Sequence, residues 1–339
     1  MAPALSVLLP CYNAADTLGE ALESLAEQTF RDFEVVAVDD GSADATPDIL
    51  TRWSGRGLPL RVVRAPHRGL VPALKEGLAA CRAPLVARMD ADDRAHPERF
   101  AAQVDFLRSH PAVDVVSCLV EAFPKAQVRP GMERYLAWLN ALVTSEAIRR
   151  EIFVESPLVH PSVVFRKAAV EAIGGYRGAS WAEDYDLWLR LCLRGARFAK
   201  VPRVLHFWRE RPQRLTRRHS RYSLKNFLRA KAHYLKRGPL SGRDALILWG
   251  AGQMGRWFSA ALLEEGLSPA AWVDIDPRKI GRTRRGVRVH SVEALPALWA
   301  EYRRPALLVS VGARGARPLI RTRLQTFGLR EGVDWWAVA

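Results

Sequence analysis

The sequence predicts an α/β protein of two units: a mainly parallel sheet flanked by helices over residues 1–215, and a smaller α/β unit over residues 244–339. A basic helical linker at 216–243 joins them. In the first part, short β-rich runs alternate with apolar residues at helical spacing, the cadence of parallel strands joined by crossover helices. A fresh strand–helix–strand pattern begins at Ala245–Trp249. Just before it Gly238, Pro239 and Gly242 cluster, and glycine with proline punctuates chains at boundaries.

Leu5–Leu9 (LSVLL) reads as a buried strand, and Leu18, Leu22 and Leu25 then recur at helical spacing. Phe33–Val38 (FEVVAV) is a second strand, stopped by DDGS. Thr46 followed by Pro47 starts a helix, with a capping hydroxyl and Pro at the first helical position. Leu60–Val63 is a third strand, Leu70–Leu78 a helix and Leu85–Met89 a fourth strand. Ligands of such sheets sit beyond the carboxyl ends of the strands, which places Pro10–Asn13, Asp39–Ser42 and Asp90–Asp93 along one rim. Further on, Val113–Val120 reads as a strand, Met132–Arg150 as a helix, His160–Phe165 as a strand and Glu183–Leu193 as a helix. Ser223–Lys236 reads as a basic amphipathic helix with Leu224, Phe227, Leu228 and Leu235 on one side.

Composition narrows the partners. Lys and Arg number 51 against 36 Asp and Glu, a net charge of +15. That balance favours a polyanion: nucleic acid, an anionic membrane surface or a phosphorylated substrate. No zinc finger, RNP-type aromatic motif or helix-turn-helix signature is evident, so nucleic acid is not the expected partner. Residues 203–243 carry thirteen Lys or Arg against the single Glu210, a charge suited to an anionic membrane surface. Cys11, Cys81, Cys118 and Cys192 lie far apart, which suggests neither a disulfide framework nor a zinc site and fits a reducing compartment. The start MAPALSVLLP has no basic n-region, and no segment reaches the ~20 apolar residues of a membrane span. The expected location is cytoplasmic, with peripheral attachment at the inner face of the membrane.

The rim carries the chemistry. LVARMDADD (85–93) places three carboxylates within four positions after an apolar run, and like charges so close repel unless something offsets them. One Asp can cap the helix starting near His96–Pro97, but a cap does not require three acids. A divalent cation would neutralise them, and carboxylate oxygens suit Mg²⁺ or Mn²⁺. Asp39 and Asp40 follow a strand as well. A carboxylate there accepts a base N–H or a ribose hydroxyl, or else caps a turn. Glu183 and Asp184 open a helix whose Leu187 and Leu191 share a face. They either answer the helix dipole or supply a general base.

LSVLLPCYNAADTLGEALESLAEQTFRDFEVVAVDDGSADAT, MDADD, HPSVVFRK, IGGYRG and AEDYDLWLRL occur in this order, and over roughly residues 4–215 the chain resembles the family-2 glycosyltransferases with the GT-A fold. The resemblance implies a metal-dependent, inverting hexosyltransferase. It would move a sugar from a nucleotide-diphosphate donor, UDP above others, to a glycan or glycolipid hydroxyl in cell-surface polysaccharide synthesis. It implies that Pro10 and Tyr12 line the base pocket, Asp40 accepts the base N–H, and Arg68 sits near the base or diphosphate. Asp90 would bond the ribose, Asp92 would hold Mn²⁺ or Mg²⁺ against the diphosphate, and Asp93 would support them. Asp184 would be the general base, with Glu183 as second choice. His160 and Gly174–Gly175 would lie near the donor sugar. Arg214–Arg221 (RLTRRHSR), with Arg217, Arg218 and His219 as candidates, would close over the diphosphate or form a solvated basic linker.

In the C-terminal unit, GAGQMG after a strand gives Gly250, Gly252 and Gly255 in GxGxxG spacing, and AAWVDID ends in Asp274 and Asp276. Strands near Val287–His290 and Ala306–Val311 complete a sheet resembling small Rossmann-like domains that bind nucleotides. Roughly 95 residues are too few for a full dinucleotide fold. A nucleotide or NAD at this motif, with a regulatory or assembly role, is the expectation. The alternative to a transferase is an NAD-linked oxidoreductase or nucleotide-sensing protein acting through the same glycines.

Overall fold

The computed structural model describes residues 2–212 and 214–339. Their contacts divide the chain into two units, the first made of residues up to Arg149, Pro157–Ala179 and Glu183–Arg218, the second of Arg150–Ser156, Ser180–Ala182 and His219–Ala339.

The first unit is built on strands β1 (Leu5–Cys11), β2 (Phe33–Asp40), β3 (Leu60–Ala65), β4 (Leu85–Arg88), β5 (Arg94–Ala95), β6 (Val115–Phe123), β7 (Val164–Arg166) and β8 (Phe198–Arg209). They form one sheet in the order β3-β2-β1-β4-β7-β6-β8-β5. β1 pairs in parallel with β2 and β4, and β2 with β3, whereas β7 runs antiparallel to both β4 and β6. Every residue of β1 and β2 is buried, as expected of parallel strands covered on both faces. The strand order reverses between β1 and β4, and Tyr12 and Asp90 lie just beyond the carboxyl ends of those two strands. Leu5, Val7 and Leu9 face a core with Leu18, Leu22 and Leu25 of the helix Ala15–Ala26, together with Phe100, Val104 and Leu107. On the opposite face the helix Leu70–Ala80 comes so close that a Cβ on Gly77 would meet Leu8 Cδ1 at 2.1 Å and Val38 Cγ2 at 2.8 Å.

Three expectations change here. The helix expected over Met132–Arg150 is two, Pro130–Ala141 and Ser145–Glu151. Thr144 starts the second, its hydroxyl accepting the Ala147 N–H at 3.2 Å. The strand expected from His160 begins at Val164, because His160–Ser162 forms a 3₁₀ turn in which the Ser162 hydroxyl donates to Val159 O at 2.7 Å. β8 was not foreseen at all. Pro202 interrupts its pattern, and the sheet accommodates it by register shifts against β6 at Cys118/Leu119 and Leu119/Val120.

The second unit holds β9 (Ala245–Trp249), β10 (Ala271–Asp274), β11 (Thr283–Arg284), β12 (Val287–Ser291), β13 (Pro305–Val309) and β14 (Trp335–Ala337), in the order β11-β12-β10-β9-β13-β14. The basic helix Leu224–Arg237 belongs to this unit and is not a free linker. It buries Leu228, Ala232 and Leu235, and the buried Lys231 ammonium donates to Val154 O at 2.7 Å and Val338 O at 3.0 Å. Arg229 pairs with Glu264, and Arg237 and His233 with Glu265. Several of the helix's cations are thus engaged within the unit. Among the described residues no helix is long and apolar enough to cross a membrane.

At Gly77, alanine gains up to about 1 kcal/mol of helix propensity, whereas overpacking a tight core costs about 1–3 kcal/mol. Gly77→Ala should therefore be neutral to destabilising and Gly77→Leu clearly destabilising, read as lower urea midpoints at unchanged m-value.

Candidate active site

The loops beyond β1 and β2 are stitched together by short polar side chains. The Asn13 N–H donates to Ser42 Oγ at 3.0 Å, Ala43 N–H to Asn13 Oδ1 at 2.9 Å, and Ala14 N–H to Thr46 Oγ1 at 2.8 Å. Asn13 sits at φ +47°, a conformation asparagine tolerates better than most residues. Tyr12, 47% exposed, stacks on His67 with ring centroids 3.9 Å apart. The buried Asp40 accepts the Arg68 N–H at 2.9 Å and the Gly69 N–H at 2.8 Å, and His67 Nδ1 lies 2.9 Å from Oδ2. Asp40 therefore anchors the turn entering the helix Leu70–Ala80 through the backbone of Arg68. The Arg68 guanidinium turns aside to pair with Glu76.

The three acids beyond β4 have three different partners. Asp90 pairs with the buried guanidinium of Arg88, one residue from the end of the apolar run. Asp92 pairs with Arg211 at 2.9 Å, while its carbonyl accepts Arg209 Nε at 2.6 Å. Asp93 is fully buried, accepting the Arg209 N–H at 2.8 Å and facing His206 Nε2 at 2.9 Å. Arg99 can only donate, and its guanidinium meets His206 Nδ1 at 3.0 Å. Nδ1 is therefore the acceptor, and Nε2 carries the proton given to Asp93. Burial, with the Arg99 charge adding to it, pushes the His206 pKa well below its ordinary value, consistent with a neutral ring.

Carboxylate oxygens of Asp90, Asp92 and Asp93 lie within 4.8 Å of one another. Burial and then the charges of Asp93 and Asp90 push the Asp92 pKa up to about 7, and burial with Asp90 pushes that of Asp93 well above the carboxylate range. A trio of hard oxygen donors under this repulsion fits Mg²⁺ or Mn²⁺. Asp93 is buried with both oxygens engaged by protein groups, whereas Asp90 and Asp92 are only partly buried.

Arg88 links this trio to the second acidic pair. Burial works against its charge, but Asp90, Tyr176 and Glu183 hold the guanidinium above its ordinary pKa. Glu183 and Asp184 begin the helix Glu183–Leu193. Asp184 accepts the Tyr185 N–H at 2.7 Å, and burial followed by the Glu183 charge raises its pKa to about 7. His160 Nε2 lies 2.8 Å from the Tyr176 hydroxyl, and burial, with Arg88 adding to it, keeps this histidine neutral. The helix is locked by a buried pair, Asp186 with Arg190 at 2.7 Å. Arg190 also donates to Ile173 O at 3.0 Å and Gly175 O at 2.7 Å, tying down the glycine turn, where Gly174 and Gly175 have φ +81° and +64°.

Arg88, Arg99, Asp186, Arg190, His206 and Arg209 escaped the sequence reading. Only Asp186 and Arg190 carried a signal, their i, i+4 spacing on a helix. In the Arg-rich stretch, Arg214 and Arg217 pair with the buried Glu210. His219 accepts the Arg221 N–H in its own turn, and the side chain of Arg218 lies outside the described residues. Gly250, Gly252, Gly255 and Asp274 come together in the second unit, around the turn after β9 and the end of β10.

A mainly parallel sheet with a carboxylate trio at its strand-order reversal and a second acidic pair at a helix start has the architecture of the GT-A glycosyltransferases. The glycosyl transferase family 2 model matches residues 6–174, and the chain belongs to that family. It is 38% identical over 205 residues to the amylovoran biosynthesis glycosyltransferase AmsE of Erwinia amylovora, spanning 59% of this chain and 74% of that protein. It is 28% identical over 250 residues to the Escherichia coli UDP-Gal:alpha-D-GlcNAc-diphosphoundecaprenol beta-1,3-galactosyltransferase, spanning 72% and 88%. Among solved structures, S. aureus TarS 1-349 in complex with UDP-GlcNAc superposes with a TM-score of 0.57 at 20% identity, over 78% of this chain and 71% of that one. A mannosyltransferase from Pyrobaculum calidifontis, in complex with GDP-Man and Mn²⁺, superposes with a TM-score of 0.50 at 24% identity, over 69% and 62%. These likenesses establish the fold and a glycosyltransferase activity. They give no support to the oxidoreductase alternative.

Because the folded Asp184 holds its proton up to about pH 7 while an unfolded Asp releases it near 3.8, stability contributed by this group is lost as pH rises from about 4 through 7. Asp184→Asn should then exceed the wild type in stability at pH 8, by up to about 4 kcal/mol. The gap should close towards pH 4; thermal melts at the two pH values measure it.

Proposed function

We propose that the chain is an inverting glycosyltransferase that moves a hexosyl group from a UDP-sugar to a hydroxyl of a glycan or lipid-linked acceptor in cell-surface polysaccharide synthesis. The observation that carries this reading is the buried guanidinium of Arg88, which pairs with Asp90 and whose field also acts on Asp184. A donor-side acid and an acceptor-side base thereby share one electrostatic centre.

In this reading Pro10 and Tyr12 border the base, and Asp40, held by the Arg68 and Gly69 N–H groups and facing His67, accepts its N–H. Asp90 takes the ribose hydroxyls. Asp92, assisted by Asp90, would hold Mg²⁺ or Mn²⁺, which when bound supplies Lewis-acid charge at the diphosphate. Arg211 and Arg214, both close enough to lower the Asp92 pKa, add fixed positive charge on the same side. The acceptor oxygen bonds the anomeric carbon as the bond to the diphosphate oxygen breaks, and the electron pair leaves with the nucleoside diphosphate. Asp184 receives the acceptor proton, and its pKa of about 7 suits a base working near neutrality. His160 and Tyr176 pack as a neutral pair beside it. The UDP preference and the acceptor class draw on the E. coli relative named above.

Asp184→Asn should lower kcat about 10²–10⁴-fold with nearly unchanged donor affinity; unaltered turnover would remove Asp184 from the role of base. In the wild type, kcat/KM should rise with pH up to about 7 and then level off. Asp92→Ala should lose activity and no longer respond to Mn²⁺ or to chelator, whereas a fully active, chelator-insensitive variant would rule out the metal role.

A further inference from the structure

In the second unit a cavity of about 660 Å³ lies beyond the carboxyl ends of β9, β10 and β13. Its size falls in the range of small-molecule and cofactor sites. Three features of different chemistry meet in it.

The first is a helix start held ready for an anion. A Cβ on Gly255 would fall 1.9 Å from Gly250 O, so the helix Gln253–Glu264 begins hard against the turn leaving β9, a turn Gly250 makes at φ +111°. Among the described residues no side chain caps this helix, and Gly252, Gln253 and Met254 of its first turn border the cavity. Lys279 Nζ lies 4.0 Å from where a Gly252 Cβ would be, adding a cation to the uncapped N–H groups.

The second is an oriented carboxylate. Asp274 is buried at the end of β10, accepting the Ala251 N–H at 2.8 Å and the Asp276 N–H at 2.9 Å, with Lys279 at 3.2 Å. The third is a pair of apolar walls. Ile275 and Leu319 both line the cavity and are each 74% exposed. Large aliphatic side chains left this open in a concave site are covered when a flat apolar group enters.

We propose that this cavity binds a nucleoside diphosphate group. The diphosphate would sit at the helix start with Lys279, the ribose hydroxyls against Asp274, and the base between Ile275 and Leu319. The proposal is for binding alone. Both adenine and uracil nucleotides carry this shared chemistry, and the experiment separates them.

Hydrogen exchange of the full chain is measured with and without ADP, NAD⁺ and UDP. At least one probe should slow exchange over residues 250–256 and 272–280, and which of them does so identifies the base. Exchange over residues 85–95 reports donor-site binding separately. Gly252 has φ −81° and ψ −165°, open to any residue, and Asp is a favoured helix cap. Gly252→Asp should therefore fold normally while placing a negative charge where the diphosphate belongs, weakening binding about tenfold or more. Lys279→Met should weaken it in the same direction. The proposal is overturned if no probe protects 250–256, or if protection is equal in the wild type and both variants.

Discussion

A guanidinium buried in a protein interior must find negative charge, and that of Arg88 finds it on two sides. Asp90 is bonded to it directly, and Glu183 and Asp184 feel its field. This requirement ties the end of β4 to the start of the helix Glu183–Leu193, two places far apart in sequence. Without the cation, acids from both places would be crowded together in a poorly solvated cleft. With it, they are held ionisable and close. The rest of the site is arranged around that neutralisation. Asp186 and Arg190 fix the helix, and Arg190 in turn fixes the glycine turn before it.

The same logic extends to the neighbouring acids. The repulsion within MDADD is met by protein cations as well as by any ion arriving with substrate. Arg88, Arg211 and the His206–Arg99 relay each answer one of the three carboxylates. The pKa values of Asp92 and Asp93 nevertheless remain raised, so the compensation is incomplete. An incompletely neutralised cluster is costly to the fold and useful to a ligand, a trade commonly struck at functional sites.

The parts of this architecture that were legible in the sequence are those governed by local periodicity. The β1 to β4 strands, the helix at Glu183 and the strand–glycine–helix unit at Ala245 all announce themselves within a short window. The rim acids could be listed because strands end where their apolar runs end. What stayed hidden depends on long-range pairing. Arg88 reads as an ordinary polar interruption, and only the closed sheet reveals that its side chain has nowhere to go but inward. β8 was masked by Pro202 and by its own arginines, yet it delivers His206 and Arg209 to Asp93. The ion pairs of the basic helix Leu224–Arg237 stayed hidden because its partners, Glu264 and Glu265, lie about thirty residues away.

The irregular pairing of β6 with β8 restricts how this chain can vary. Between the Cys118–Val201 and Val120–His206 pairs, β8 advances from 201 to 206 while β6 advances only from 118 to 120. Side chains alternate faces along a strand, so the number of residues in that detour decides which face His206 occupies. Losing or gaining one residue there would present Phe207 or Leu205 where the imidazole now meets Asp93 and Arg99. Surface loops elsewhere in the unit can lengthen or shorten at little cost. This small kink is instead a fixed-length spacer, and the ionic wiring of the site is set by counting along it.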